Sequence, residues 1–252
     1  MGQKIHIIIR TIICYLYFLA TLIFVTPFCL LITFICLFGM WKLRPVILHR
    51  FAERWSLILI YLTGCKATVL GRENIPREGG LCFVSNHGGV FDIALLLAHT
   101  GRPFGFVAKK ELLWIPILNM WIPMLGGSYI DRKNLRKGLK TINQGISRIK
   151  SGGAMLIFPE GSRSRGRGLL PFHSGSFKLA TQAQATIVPV ALAGGYEVYE
   201  KNFKVTPCHV CVTFGKAINT ADIPLENRKH ILSEQVHQVI KQALDANPPS
   251  QI

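Results

Sequence analysis

From Cys65 onward the chain is built of short apolar runs separated by Gly and Pro. Leu81–Asn86 (LCFVSN), Arg102–Ala108 (RPFGFVA), Gly126–Ile130 (GGSYI), Gly153–Pro159 (GAMLIFP), Ala185–Leu192 (ATIVPVAL) and His209–Gly215 (HVCVTFG) have the length and composition of buried strands. Helical stretches alternate with them near Phe91–His99, Leu135–Ser151 and Gly175–Gln182. Asn227–Ala246 sets Leu232, Val236, Val239, Ile240 and Ala243 on one face, as a packing helix does. The alternation predicts an α/β domain over residues 65–252, a mixed sheet flanked by helices.

Residues 1–64 follow a different pattern. Thr11–Met40 carries no charge, and a membrane crossing needs about 20 such residues. The stretch is too long for one straight span, and Pro27 divides it into two shorter pieces. Lys4 and Arg10 precede it, and Lys42, Arg44, Arg50 and Arg54 follow it, so flanking charge gives no direction of crossing. A hairpin dipping into one leaflet, with both ends cytoplasmic, fits at least as well as a single span. Phe51–Leu62 reads as an amphipathic helix lying on the interface. The apolar core is too long for a signal peptide. The expected location is the cytoplasmic face of a membrane, the inner membrane if the cell is bacterial.

Composition sharpens this picture. The 29 Lys and Arg against 13 Asp and Glu leave a formal charge of +16, and half the residues are hydrophobic. A basic chain seeks an anionic partner, and the long apolar segment favours membrane phospholipid over nucleic acid. The seven cysteines are odd in number and scattered, which is no disulfide framework. Cys208 and Cys211 bracket His209, but a structural zinc site needs about four ligands and no second pair stands at a suitable spacing. They read as strand residues, and no metal is expected.

Four constellations carry candidate chemistry. Asn86-His87-Gly88-Gly89-Val90-Phe91-Asp92 follows a predicted strand and opens a predicted helix, where α/β proteins place their sites. A hydroxyl becomes a good nucleophile when an imidazole takes its proton, and a carboxylate fixes the tautomer of that imidazole. A helix advances about 100° per residue, so His87 and Asp92 cannot share one helical face. The turn at Gly88 and Gly89 has to fold the His back. Phe158-Pro159-Glu160-Gly161-Ser162-Arg163-Ser164 also follows a predicted strand; Arg grips phosphate through two hydrogen bonds, and Gly admits backbone amides. Gly161 and Gly166 match the glycine spacing of a nucleotide loop, but Arg167 and Gly168 stand where Lys and Ser or Thr belong. No G-x-S-x-G or G-x-G-x-x-G is present. Gly126–Arg132 (GGSYIDR) and Ile187–Ala191 (IVPVA) complete the set.

In this order the four resemble the glycerolipid acyltransferases typified by 1-acyl-glycerol-3-phosphate acyltransferase, over about Leu81–Ala193. The resemblance implies transfer of a fatty acyl group from acyl-CoA or an acidic acyl-carrier protein to the hydroxyl of lysophosphatidic acid, with no cofactor beyond that co-substrate. It implies His87 as base and Asp92 as its orienting partner. Arg132, Glu160, Gly161 and Arg163 would serve the glycerol phosphate, together with Lys109, and Pro189 would shape the donor site. Backbone amides at a helix start or near Gly161 would stabilise the oxyanion. Two departures stand out: Gly88-Gly89 replaces the family's usual polar pair, and Ser162 its usual Thr. Alternatives are another lysolipid, a lyso-aminolipid or glycerol 3-phosphate as acceptor, or a membrane lipid-binding protein without activity.

Overall fold

The computed structural model describes residues 2–38, 43–115, 118–131 and 134–251. The first helical limb runs through α1 (Gly2–Ala20), a π-helical turn (Thr21–Val25) and α2 (Thr26–Leu37). Pro27 does not divide it. The Thr26 amide reaches back five residues to the Thr21 carbonyl, and the widened turn admits a ring that would clash in a regular helix. Lys4–Cys36 is thus one helix of 33 residues, long and apolar enough to cross a membrane. Along it Ile12, Leu16, Phe24 and Phe34 are exposed.

The chain reverses after this limb, and α3 (Arg44–Thr63) packs antiparallel along it. Phe28 meets Phe51 edge to face, Trp55 Nε1 donates to Thr21 Oγ1 at 2.8 Å, and Arg10 Nη1 reaches the Leu62 carbonyl. The expected hairpin at Pro27 is therefore replaced by one between α1–α2 and α3. Nor does α3 lie alone on an interface. Leu48, Ala52, Ser56, Ile60 and Thr63 recur at helical spacing as its buried face, and Ala52 and Ile60 join the core of the α/β layer.

Next come β1 (Lys66–Leu70), β2 (Leu81–Ser85), α4 (Asp92–His99), β3 (Phe104–Lys109), α5 (Leu118–Met124), β4 (Ser128–Ile130), α6 (Leu135–Lys150) and β5 (Ala154–Ile157). After these follow α7 (Lys178–Ala183), β6 (Thr186–Ala193), β7 (Cys208–Phe214), β8 (Ile218–Asn219), α8 (Arg228–Ala246) and β9 (Ser250–Gln251). The sheet runs β1-β7-β6-β2-β5-β3-β4, with β8 on β6 and β9 on β7. Its central strands β6, β2, β5 and β3 are parallel, and β7 is antiparallel to β6. The predicted mixed sheet is present.

Both faces of the sheet are covered, which is why its strands read as unbroken apolar runs. Leu81 and Phe83 of β2 point into a cluster with Leu95, Leu96 and Leu97 of α4. Cys82 and Val84 point the other way, toward Ile149 of α6, Leu179 of α7, and Leu232, Val236 and Ile240 of α8. Cys208 and Cys211 are strand residues of β7; Cys208 Sγ lies 3.8 Å from Cys65 Sγ.

Phe83 is fully buried against Phe104 at a ring separation of 6.0 Å. Phe83→Ala is expected to cost about 3–5 kcal/mol of stability, read from denaturant unfolding of the detergent-solubilised protein. A loss below about 1 kcal/mol would be too small for a truncated core aromatic, and would contradict the packing of this face.

Candidate active site

The parallel strands β6, β2 and β5 lie side by side, so the loops leaving their carboxyl ends meet. Residues 86–91 leave β2, 158–173 leave β5, and 194–207 leave β6. Asn86 fastens the first loop to the end of β6. Its amide nitrogen donates to the Leu192 carbonyl at 2.9 Å, and its oxygen accepts from the Leu192 amide at 2.8 Å.

The turn beyond Asn86 brings His87 back over α4. His87 Nδ1 donates to Asp92 Oδ2 at 2.8 Å, and the Gly89 amide donates to the same oxygen at 2.9 Å. Asp92 is the first residue of α4 and only 1% exposed. A carboxylate there gains from the partial positive charge of the helix start. With Nδ1 as donor, Nε2 is the basic nitrogen. Phe158 stacks on the imidazole, ring centres 4.0 Å apart at 16°, and the His87 side chain is 18% exposed. It is sheltered yet reachable.

The rest of the turn is held by two further carboxylates. Glu160 accepts from the His87 amide at 2.6 Å through Oε1 and from the Leu170 amide at 3.1 Å through Oε2. Glu200 accepts from the Val90 amide at 2.6 Å. In the other sense, the His87 and Gly88 carbonyls accept from the Ser164 and Arg165 amides at 2.8 and 3.1 Å. Buried backbone groups need such partners, and the chain supplies them from loops more than 70 residues away.

The expected site residues fall into groups. His87, Asp92, Glu160, Gly161 and Arg163 come together at the ends of β2 and β5. Arg163 is one-third exposed and donates through Nη1 to Glu200 Oε1 at 2.7 Å. Glu160 is buried, with both oxygens on backbone amides, so it acts on the site by fixing the loops. Burial raises its pKa above the ordinary carboxylate value, while the amides of His87 and Leu170 pull the other way. Gly161 sits in a turn at φ +70°, its amide donating to the Phe158 carbonyl at 3.1 Å. Lys109 ends β3, farther along the sheet; beside it Lys110 binds Asp131 at 2.8 Å. Pro189 is buried within β6 opposite Val84 and shapes the sheet beneath the site. Arg132 lies outside the described residues.

Sequence reasoning missed Gly195, Glu200 and the stacking role of Phe158. A Cβ at Gly195 would stand 2.0 Å from Asp92 Oδ1, so the loop after β6 approaches the carboxylate only because this residue has no side chain. The Gly194-Gly195 pair closing an apolar run was a weak signal for Gly195, while nothing in the sequence sets Glu200 apart from Glu197 three residues earlier.

A histidine oriented by a buried carboxylate, set on the carboxyl edge of an α/β sheet beside an arginine, suits activation of a hydroxyl close to an anion. The acyltransferase family model matches residues 66–193, and the chain belongs to that family. The chain is 32% identical over 145 residues to 1-acyl-sn-glycerol-3-phosphate acyltransferase of Borreliella burgdorferi, covering 58% of each. It is 29% identical over 197 residues to the protein of that name from Cocos nucifera, covering 77% of this chain and 62% of that one. It therefore matches about three fifths of the length of these curated relatives. The solved structure of 1-acyl-sn-glycerophosphate (LPA) acyltransferase, PlsC, from Thermotoga maritima matches with a TM-score of 0.83 at 25% identity, covering 97% of both chains.

Gly195→Ala is expected to push Asp92 off His87. Displacements of this size cost on the order of a hundredfold in rate, so kcat should fall by that much, and the melting temperature should fall as well because a buried carboxylate loses its partner. A fully active variant would show that the close approach is not needed.

Proposed function

We propose that this protein transfers a fatty acyl group from a thioester donor, acyl-CoA or acyl-carrier protein, to the free hydroxyl of 1-acyl-glycerol 3-phosphate, giving phosphatidic acid for phospholipid synthesis. The observation that carries the reading is the His87–Asp92 pair on the same rim as Arg163. His87 Nε2 takes the proton of the acceptor hydroxyl, and the oxygen attacks the thioester carbonyl. The carbon–sulfur bond breaks, and the thiolate leaves with the proton from the imidazolium. Asp92 holds the tautomer and stabilises the imidazolium that forms between these steps. Transfer within one ternary complex needs no acyl-enzyme. Arg163 binds the acceptor phosphate; a planar guanidinium pairs with phosphate at two points. The similarity to proteins named for this reaction supports the acceptor, and the basic charge of the chain suits either anionic donor.

The reading is tested by transfer of labelled acyl groups to lysophosphatidic acid from each donor, in membranes containing the protein. Activity is expected in the parent, with a fall of about a hundredfold or more in His87→Ala. Arg163→Ala is expected to raise the acceptor KM roughly tenfold to a hundredfold, the worth of a hydrogen bond to a charged group. No transfer above empty membranes with either donor would overturn the acceptor assignment.

We also propose that α1, α2 and α3 hold the enzyme at the cytoplasmic face of the membrane, where acceptor and product reside. Apolar burial is not screened by salt, unlike surface charge pairing. The protein is therefore expected to stay in the membrane fraction through a high-salt wash. Its release by salt alone would leave only electrostatic attachment.

A further inference from the structure

Glu200 lies outside every sequence motif of the chain, yet it touches the two parts of the site that must work together. Its Oε2 accepts from the Val90 amide at 2.6 Å, and its Oε1 accepts from Arg163 Nη1 at 2.7 Å. The carboxylate is 12% exposed. Access to this position depends on Gly89. A Cβ there would stand 2.5 Å from Glu200 Oε2 and 3.0 Å from the Tyr196 Cα. A residue without a side chain at position 89 therefore leaves the room that this carboxylate fills. The segment bearing Glu200 is secured from its far side by α1. The hydroxyls of Tyr199 and Tyr15 are hydrogen-bonded, and the Val205 amide donates to Thr11 Oγ1 at 2.9 Å.

We propose that Glu200 is a positioning residue that presets Arg163 for the acceptor phosphate; this rests on the reading that Arg163 is the phosphate ligand. A free arginine side chain carries about 2 kcal/mol of rotamer entropy, part of which is lost on gripping an anion. Arg163, Arg165 and Arg167 also crowd five positions of one loop, and like charges repel. A fixed carboxylate at Nη1 removes both costs before the acceptor arrives, and leaves the other N–H groups of the fork for phosphate. Because Glu200 also holds the Val90 amide, the aim of the guanidinium is tied to the same turn that carries His87.

The test is a double-mutant cycle on purified enzyme in detergent, with acceptor KM and kcat for lysophosphatidic acid measured separately. Glu200→Ala is expected to raise KM about tenfold, the scale of one charge-assisted hydrogen bond, with kcat changed less than about threefold. Glu200→Gln offers one oxygen to two donors, the Val90 amide and Arg163, and carries no charge, so its KM should fall between those of the parent and Glu200→Ala. In an Arg163→Ala background, Glu200→Ala should add less than about twofold, since two residues acting through one interaction are not additive. A fall in kcat with unchanged KM, or a full KM effect persisting without Arg163, would show a merely structural Glu200 and overturn the proposal. An unchanged KM in Arg163→Ala alone would sink the phosphate reading, and this proposal with it. A raised KM there beside an unchanged KM in Glu200→Ala would sink only the role of Glu200.

Discussion

The site depends on one contact, the 2.8 Å hydrogen bond from His87 Nδ1 to Asp92 Oδ2. The two residues are five apart and cannot meet on a regular helix, so the chain must turn sharply between them and start α4 at the carboxylate. An isolated buried carboxylate is costly. Here His87 Nδ1–H, the Gly89 amide and the helix start each offset part of that cost. The surrounding loops then accommodate the pair, and Gly195 carries no side chain where a Cβ would meet Asp92.

A turn this tight leaves its amides without helical or strand partners. The chain satisfies three of them with carboxylates from separate places: His87 by Glu160, Gly89 by Asp92 and Val90 by Glu200. In a chain with 13 acids against 29 bases, three acids around one four-residue turn is a heavy concentration. Electrostatics explains part of it. Charge-assisted bonds to backbone amides are stronger than neutral ones, and fixed negative charge lets an arginine loop pack beside a histidine that becomes positive in the proposed reaction. Glu160 and Glu200 do more than balance charge. Each spans two segments: Glu160 ties the His87 amide to Leu170, and Glu200 ties the same turn to Arg163.

The strands were legible in sequence because both faces of the sheet are covered and their runs are apolar throughout. β1 was not, since Lys66-Ala-Thr-Val-Leu70 is a short, half-exposed edge strand without a clear period. α5 was hidden by Pro123 inside it. The continuity of the first limb through Pro27 was also hidden, because a π turn has no composition of its own. That His87, Asp92 and Arg163 come together could be anticipated because they lie in contiguous motifs following strands. Gly195 and Glu200 could not. They reach the site through β6, more than 100 residues after the turn they support, and only the sheet order places them there.

That same segment joins the N-terminal helices to the candidate site. Residues 196–205 lie between β6 and β7, and α1 holds them through Tyr15 and Thr11. Glu200, one residue beyond Tyr199, is thus braced on one side by the helix with the exposed apolar residues and on the other by the turn that carries His87. A loop of this length would ordinarily be among the more mobile parts of a domain. Here its hydroxyl and amide contacts with α1 oppose that tendency, and α1 is itself paired along its length with α3, whose buried face enters the core. The helical hairpin and the α/β layer consequently form one mechanical unit. In the proposed reaction, whose acceptor and product stay in the bilayer, such rigidity would matter, because freedom between these helices and His87 would be freedom between the acceptor hydroxyl and Nε2.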